Sequence, residues 1–231
     1  MEHNRRSHPR IWDLDWHVLR RQQEAIRGLL ESPALTLRGA SVLDFGCGSR
    51  PYERWFTAAG ARYRGADIDG APDIAVREDG SLAAADATFD MVASFQVLEH
   101  VWDVATYLGE ARRVLKPGGS LLLSTHGSWF YHPHPGDYRR WTAEGLRREV
   151  EAHGFTLLEM RPVVGPLAWT SILRSFGVAY AVRRIPLAGK AMAACAALLY
   201  NVRAWCEDGI TPAQVTANNA CVYVGLFKRG D

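Results

Sequence analysis

The sequence has no surplus of either charge: 27 Lys and Arg stand against 25 Asp and Glu, a formal net of +2. So even a balance gives nucleic acid or an anionic membrane no long-range pull, and neither is expected as the main partner. Arginines gather at 5–27 and 139–148, which a solvated face accounts for. No stretch reaches the ~20 apolar residues of a membrane span. The start, Met1-Glu2-His3-Asn4-Arg5-Arg6, lacks the apolar run of a secretory leader. Cysteine is scarce and unpatterned: Cys47, Cys195, Cys206 and Cys221 form no C-x-x-C pair and have no histidine at metal spacing. That argues against a disulfide framework and a zinc finger and points to a reducing, cytoplasmic setting. Internal repeats and low-complexity segments are absent as well. What remains reads as globular: 48% hydrophobic and 23% charged over 231 residues, enough for one domain with a small appendage.

The chain is organised around Ser41-Val42-Leu43-Asp44-Phe45-Gly46-Cys47-Gly48-Ser49-Arg50-Pro51-Tyr52. Val42, Leu43 and Phe45 form a β-prone apolar run of the length of a strand covered on both faces. Gly46 and Gly48 permit positive φ and remove the Cβ atoms that would hold a ligand off the main chain. A glycine turn at the carboxyl end of a parallel strand is where open α/β sheets bind nucleotide-like ligands. A third glycine, which a dinucleotide fingerprint would have, is missing; Pro51 stands there. Asp44, two residues before Gly46, would do little for a pyrophosphate but suits a ligand carrying an ammonium and a sulfonium. Cys47 is read as a small packing residue within the turn.

Alternation continues along the chain. Helical spacing runs from Leu14 to Leu30, with Trp12 and Trp16 expected on one face as a core cap or a lid. A helix is expected over Pro51–Ala59, a strand over Ala61–Ile68, a short strand over Asp73–Val76 and another over Phe89–Phe95. Asp103 would cap a helix to Leu115, and Lys116-Pro117-Gly118-Gly119 would stop it and turn the chain. Ser120–Thr125 reads as a strand, Thr142–Gly154 as a helix capped by Thr142, Phe155–Met160 as a strand, and Ala220–Phe227 as the last strand. Short buried strands between helices require a parallel sheet.

The glycine turn resembles motif I of class I S-adenosylmethionine (SAM) dependent methyltransferases. Asp-Phe-Gly-Cys-Gly-Ser-Arg-Pro-Tyr is similar to a bacterial, methyltransferase type 11-like subgroup found near polysaccharide and natural-product genes. The resemblance implies a Rossmann-like, doubly wound sheet of seven strands in the order 3-2-1-4-5-7-6, with strand 7 antiparallel. It implies SAM as cofactor, S-adenosylhomocysteine (SAH) as product, and no metal.

Asp67 falls about twenty residues beyond the turn, where a carboxylate can accept both ribose hydroxyls. The resemblance places it there too, with Ile68 beside it in the strand-two ending Gly-Ala-Asp-Ile-Asp and Asp69 as a neighbour. It implies an acidic residue on the adenine amino group, Glu78 with Asp79 as the second choice, although Leu82-Ala83-Ala84-Ala85 departs from the family's Leu-Pro-Phe-like patch. It also puts main-chain groups of Phe95 and Gln96 against the methionine part, alongside Asp44, Gly46, Cys47 and Gly48. In Gln96-Val97-Leu98-Glu99-His100-Val101, His100 would support the loop more often than act as a base.

The loop His126–Thr142 packs three histidines, five aromatics and a carboxylate into seventeen residues at the carboxyl edge of the sheet. Its His-x-x-Pro-x-Asp-Tyr-x-Arg-x-Thr pattern is similar to the family's. Transfer to oxygen or nitrogen needs alignment and a proton acceptor, and histidine titrates in the right range. His132 or His134 is the expected base, with Asp137 orienting it; His126, Tyr131, Tyr138 and Arg140 would meet the substrate. A zinc site from His126, His132 and His134 lacks an evident fourth ligand.

The expected layout is an N-terminal helical segment (1–37), a SAM-binding core (38–161), a helical insertion (162–219) and a last core strand (220–231). Two apolar helices, Leu167–Val182 and Leu187–Trp205, would cap the substrate, form a homodimer interface or touch a lipid carrier. The expected activity is methyl transfer to a hydroxyl of a small molecule or glycan, with N- or C-transfer as variants. Rivals are a non-catalytic SAM/SAH-binding protein, a SAM enzyme of other chemistry such as cyclisation, and a nicotinamide oxidoreductase.

Overall fold

The computed structural model describes residues 5–230. Seven strands, β1 (Ser41–Phe45), β2 (Arg62–Asp67), β3 (Ile74–Ala75), β4 (Phe89–Phe95), β5 (Leu115–His126), β6 (Phe155–Val163) and β7 (Val222–Arg229), form one sheet in the order β3-β2-β1-β4-β5-β7-β6. The middle is parallel, with Asp44 level with Gly65 on one side and Ala93 on the other. β7 runs antiparallel to β6: the Cys221 N–H donates to the Val164 carbonyl at one end and the Gly230 N–H to the Gly154 carbonyl at the other. Val42, Leu43 and Val92 are fully buried, as strands covered on both faces must be. Each such side chain contributes about 1.5–3 kcal/mol.

Two helix caps follow the sequence. The Asp103 carboxylate accepts the Thr106 N–H ahead of α3 (Val104–Val114), and the Thr142 hydroxyl accepts the Gly145 N–H ahead of α4 (Ala143–Ala152). Three expectations are corrected. Lys116–Gly119 does not turn the chain away; it is a bulge inside β5, with Phe89 paired to Leu115 and Met91 to Ser120. The first helix, α1 (Trp16–Leu30), starts at Trp16, so Trp12 lies in the turn before it and shares no helix face with Trp16. The helical insertion contains three helices, α5 (Pro166–Val182), α6 (Gly189–Ile210) and α7 (Ala213–Asn219), because Thr211-Pro212 ends one helix and starts another.

The chain forms two compact units: the described residues up to Ala25 with Pro162–Val222, and Ile26–Arg161 with the described residues from Tyr223 on. In the first, Leu14 packs with Ala179, Ala193 and Ala197, and the Asn201 amide donates to the carbonyls of Ile11 and Asp13. Asp208 ties this unit together, accepting the Gly165 N–H and lying 3.1 Å from His17 Nε2. Tyr180, Leu199, Trp205 and Ile210 are exposed on it. Among the described residues no helix is long and apolar enough to cross a membrane. The second unit carries most of the sheet and every candidate site residue.

Candidate cofactor and active site

The glycine turn folds tightly under the end of β2. The Gly46 and Cys47 N–H groups both donate to the Ala66 carbonyl. Gly46 has φ +83° and no room for a side chain: a Cβ there would lie 2.4 Å from a Val97 methyl carbon. The turn after β1 therefore touches the turn after β4. Gly48, at φ +49°, faces open space, with nothing within 4 Å of where its Cβ would stand. Asp67 bounds that space: one carboxylate oxygen accepts the Gly48 N–H at 2.7 Å and the other the Ile68 N–H at 2.8 Å. The oxygen on Ile68 also accepts the Asp69 N–H at 3.5 Å, and the oxygen on Gly48 retains a lone pair for a ligand hydroxyl. Ile68 next to it is 58% exposed, an apolar face with no cover.

Asp44 is buried and accepts the Tyr63 hydroxyl at 2.6 Å. Burial, with Asp44 beside it, pushes the Tyr63 phenol far up, so it stays a donor. Burial, with Asp44 and Asp67 adding to it, raises the Cys47 thiol to about 11, which suits a packing residue. Phe95 is buried and Gln96, at φ +58°, is in a left-handed conformation unusual for a non-glycine residue. Its N–H and side-chain amide both donate to Ser124, which holds the strained turn beside Gly46. Glu78 is exposed in a tight turn closed by the Gly80 N–H on the Arg77 carbonyl; Asp79 there already accepts the Ser81 N–H.

The loop after β5 is locked by one ion pair. Asp137, whose carboxylate is almost fully buried, meets Arg140 through both oxygens at 2.5 and 2.7 Å and accepts the His132 N–H. Arg140 donates in turn to the Trp129 and Phe130 carbonyls. The Arg140 guanidinium holds the Asp137 carboxyl well below the usual range, overcoming burial. Arg140 thus shapes the loop. Tyr131 is 76% and Tyr138 49% exposed, the latter edge-on to Trp102. His134 is exposed, and its N–H closes a turn onto the Gly136 carbonyl.

The structure gathers three imidazoles. The His100 ring is 4.8 Å from that of His132, and the His126 ring 5.0 Å from it. His126 is buried and stacks on Trp129 at 4.7 Å. Beneath them lies a residue that the sequence reading left unassigned, Glu99, fully buried. Its Oε2 accepts the Thr125 hydroxyl at 2.8 Å, and its Oε1 lies 2.7 Å from His126 Nδ1. Burial pushes Glu99 up, but His126 and Thr125 outweigh it and hold the carboxyl low; burial lowers His126 and His132. Burial thus works against a proton on His126 and on His132, while the pairing of Glu99 favours its charged form. Arg50 and Asp73 were also unassigned: they pair at 3.0 Å, and Asp73 accepts the Gly65 N–H, bracing β2 under the turn. Leu98-Glu99-His100, directly after a strand, was the available signal for Glu99.

A cavity of about 490 Å³ lies at the other edge of the sheet, lined by Arg38, Arg62, Asp90, Lys116 and Lys228 among others. Asp90 there is already engaged, by Lys116 at 2.7 Å and the Ser41 N–H at 2.8 Å. The carboxyl edge, with its strained turns and buried titratable groups, is the better candidate despite that cavity.

Residues 17–160 match the methyltransferase-domain family. A Mycolicibacterium smegmatis protein named a probable S-adenosylmethionine-dependent methyltransferase is 34% identical over 135 residues, 51% of this chain and 52% of its own length. A ubiquinone biosynthesis O-methyltransferase of Cereibacter sphaeroides is 35% identical over 111 residues, 41% of this chain and 44% of its own. The chain spans about half the length of these relatives. A crystal structure described as a sarcosine dimethylglycine methyltransferase of Galdieria sulphuraria shares the fold, with TM-score 0.58, 15% identity, and cover of 92% of this chain and 87% of that one.

Proposed function

The chain belongs to the SAM-dependent methyltransferase-domain family, and from that premise we propose that it moves a methyl group from SAM to a hydroxyl oxygen of a small molecule or glycan. The observation that carries the acceptor reading is the His100–His126–His132 group over buried Glu99, at the same sheet edge as the glycine turn. Asp67 accepts the ribose hydroxyls, Gly48 gives the main chain close approach beside a Gly46 packed on Val97, and the Phe95–Gln96 turn faces the methionine end. Asp44 lends negative charge under the turn, Cys47 packs it, Ile68 covers the adenine face, and Glu78 reaches the adenine amino group. When bound, the cofactor supplies a methyl carbon on a sulfonium.

An in-line hydroxyl must then be aligned and must give up its proton. His132 is the favoured acceptor in this reading. Its Nδ1–H donates to the Phe130 carbonyl, which leaves Nε2 as the free lone pair. Asp137 fixes the backbone at that residue. His134 is the second candidate, and Tyr131 and Tyr138 line the approach, while His126 and Arg140 shape its floor and rim. The exposed apolar residues of α5 and α6 support a homodimer through 162–219, which light scattering of the purified chain checks.

Calorimetric titration with SAM, SAH and NADH tests the cofactor, followed by SAH formation against a panel of hydroxylated small molecules and glycans. Adenosyl binding with SAH formation on a hydroxyl acceptor is expected. Adenosyl binding without turnover on any acceptor favours a non-catalytic binding protein, and binding of NADH alone overturns the proposal.

A further inference from the structure

We propose that Glu99, His100 and His132 form a binding site for one divalent cation of borderline softness, such as zinc. One donor atom from each of these residues lies within 4.8 Å of the others. Ligand atoms around zinc at about 2.0–2.2 Å are themselves roughly 3–3.5 Å apart, so the set closes on an ion by about an ångström of side-chain movement.

Three further observations point to an ion. The first is the orientation of the rings. His100 Nδ1–H donates to the Gly136 carbonyl at 2.6 Å, and His132 Nδ1–H to the Phe130 carbonyl at 3.0 Å. Each ring thus has its Nδ1 proton fixed by a backbone acceptor and its Nε2 lone pair free, which is how metal-binding histidines are held. The second is Glu99 itself. It is fully buried, and among the described residues its ion-pair partner is a histidine, His126, with no lysine or arginine against it. Its Oε1 lies 2.7 Å from His126 Nδ1 in poor hydrogen-bond alignment, so the contact with that ring meets the demand of the oxygen only in part. A buried carboxylate oxygen with an unmet demand is costly unless a cation or donor arrives. The third is rigidity: Thr125 holds the other Glu99 oxygen, and the Tyr138 N–H donates to the Glu99 carbonyl, so the carboxylate does not need to be ordered on binding.

This departs from the expectation of no metal, and from a zinc set built on His126, His132 and His134. The missing ligand is Glu99, and His134 stands away on the exposed turn. The inference deepens the methyl-transfer reading and rests on it for its purpose. Three protein ligands leave the ion an open position, where a substrate hydroxyl can bind and lose its proton to water more readily. His132 then serves as a ligand, and the ion takes over the task assigned above to its imidazole.

The test is calorimetric titration of the full chain with zinc, and separately with SAH, for wild type, Glu99→Gln, His132→Gln and the distant control His153→Gln. One equivalent of zinc is expected for wild type and for His153→Gln, with affinity at least tenfold weaker in the other two while SAH binding persists. No saturable binding, or binding that Glu99→Gln and His132→Gln leave unchanged, overturns the site. Should those variants lose SAH binding through misfolding, cobalt(II) on the wild type decides. Visible ligand-field bands of an imidazole-bound ion with fewer than six ligands support the site, and their absence overturns it. SAH binding without zinc binding removes the cation alone, whereas zinc binding without SAH binding removes the methyl-transfer reading.

Discussion

The two edges of the sheet treat their charged side chains in opposite ways. At the amino edge, around the cavity, Asp90 is matched by Lys116 and the Ser41 N–H, and Arg62 reaches the Ser41 hydroxyl. These groups are partly exposed, and water serves whatever the protein does not. At the carboxyl edge Glu99 and Asp137 are buried, Gln96 and Arg50 hold positive φ, and Gly46 has no room for a side chain. The amino edge has the volume and the carboxyl edge has the unmet demand. Strain and incomplete pairing are destabilising on their own, so their meeting with a buried charge at Gln96 and Glu99 marks where a ligand belongs better than empty space does.

The sharpest way to break that comparison is turnover. His132→Gln at the carboxyl edge is expected to cut methyl transfer by about 10²–10⁴-fold, while Lys228→Ala beside the cavity leaves it within a factor of about two. Comparable losses from both would sink the assignment. Cofactor affinity comes next. Asp67→Ala removes the acceptor for three backbone N–H groups as well as for the ligand. It should weaken SAH by about a hundredfold, roughly 2.7 kcal/mol, in a titration where Asp90→Asn changes nothing. Stability offers a glycine pair: Gly46→Ala meets Val97 and a positive φ, whereas Gly39→Ala at the amino edge meets a positive φ with nothing within 4 Å. The first should cost about 2 kcal/mol or more and the second about 1 kcal/mol in thermal unfolding.

Much of the carboxyl edge was legible because its signals are local. Two glycines after a buried apolar run and an aspartate at the end of the next strand mark the strands and turns of that edge, while the order of the strands in the sheet was implied by the resemblance. Glu99 was not legible in that way. Its neighbours Thr125 and His126 come from the end of another strand, and only the pairing of β4 with β5 brings them together. The same register explains the misreading of Lys116–Gly119. Proline and paired glycines signal a chain reversal, and a bulge that slips Met91 onto Ser120 uses the same residues for the same conformational freedom. The third helix of the insertion was missed because α7 has no buried residue to give it periodicity.

Acid titration separates the edges further. Asp137 and Asp90 both have carboxyls held below the usual range, Asp137 by Arg140 over opposing burial, while at Asp90 burial is outweighed by Lys116. A lowered native value means that the stabilisation is fully present above the ordinary carboxylate range near pH 4 and is lost as pH falls through the native value. Melting temperature should therefore hold level down to about pH 4 and drop below it, with a shallower drop in Asp137→Asn. Asp90→Asn should change the acid limb less, because its carboxylate is 38% exposed.

The smallest effect is the most discriminating for the amino edge. Lys116 and Asp90 approach to 2.7 Å, a geometry that on distance alone rivals the Asp137–Arg140 pair. Their side chains are 42% and 38% exposed, so water competes for both ions and salt screens them. Lys116→Ala should cost no more than about 1 kcal/mol, and that cost should fade as ionic strength rises. Arg140→Ala should lose more and keep most of the loss in high salt, because it strands a carboxylate that is 1% exposed. Measuring both across a salt series asks whether burial or separation sets the worth of an ion pair on this sheet. Equal and equally screened losses would mean that the two edges do not differ in the way the buried carboxylates imply.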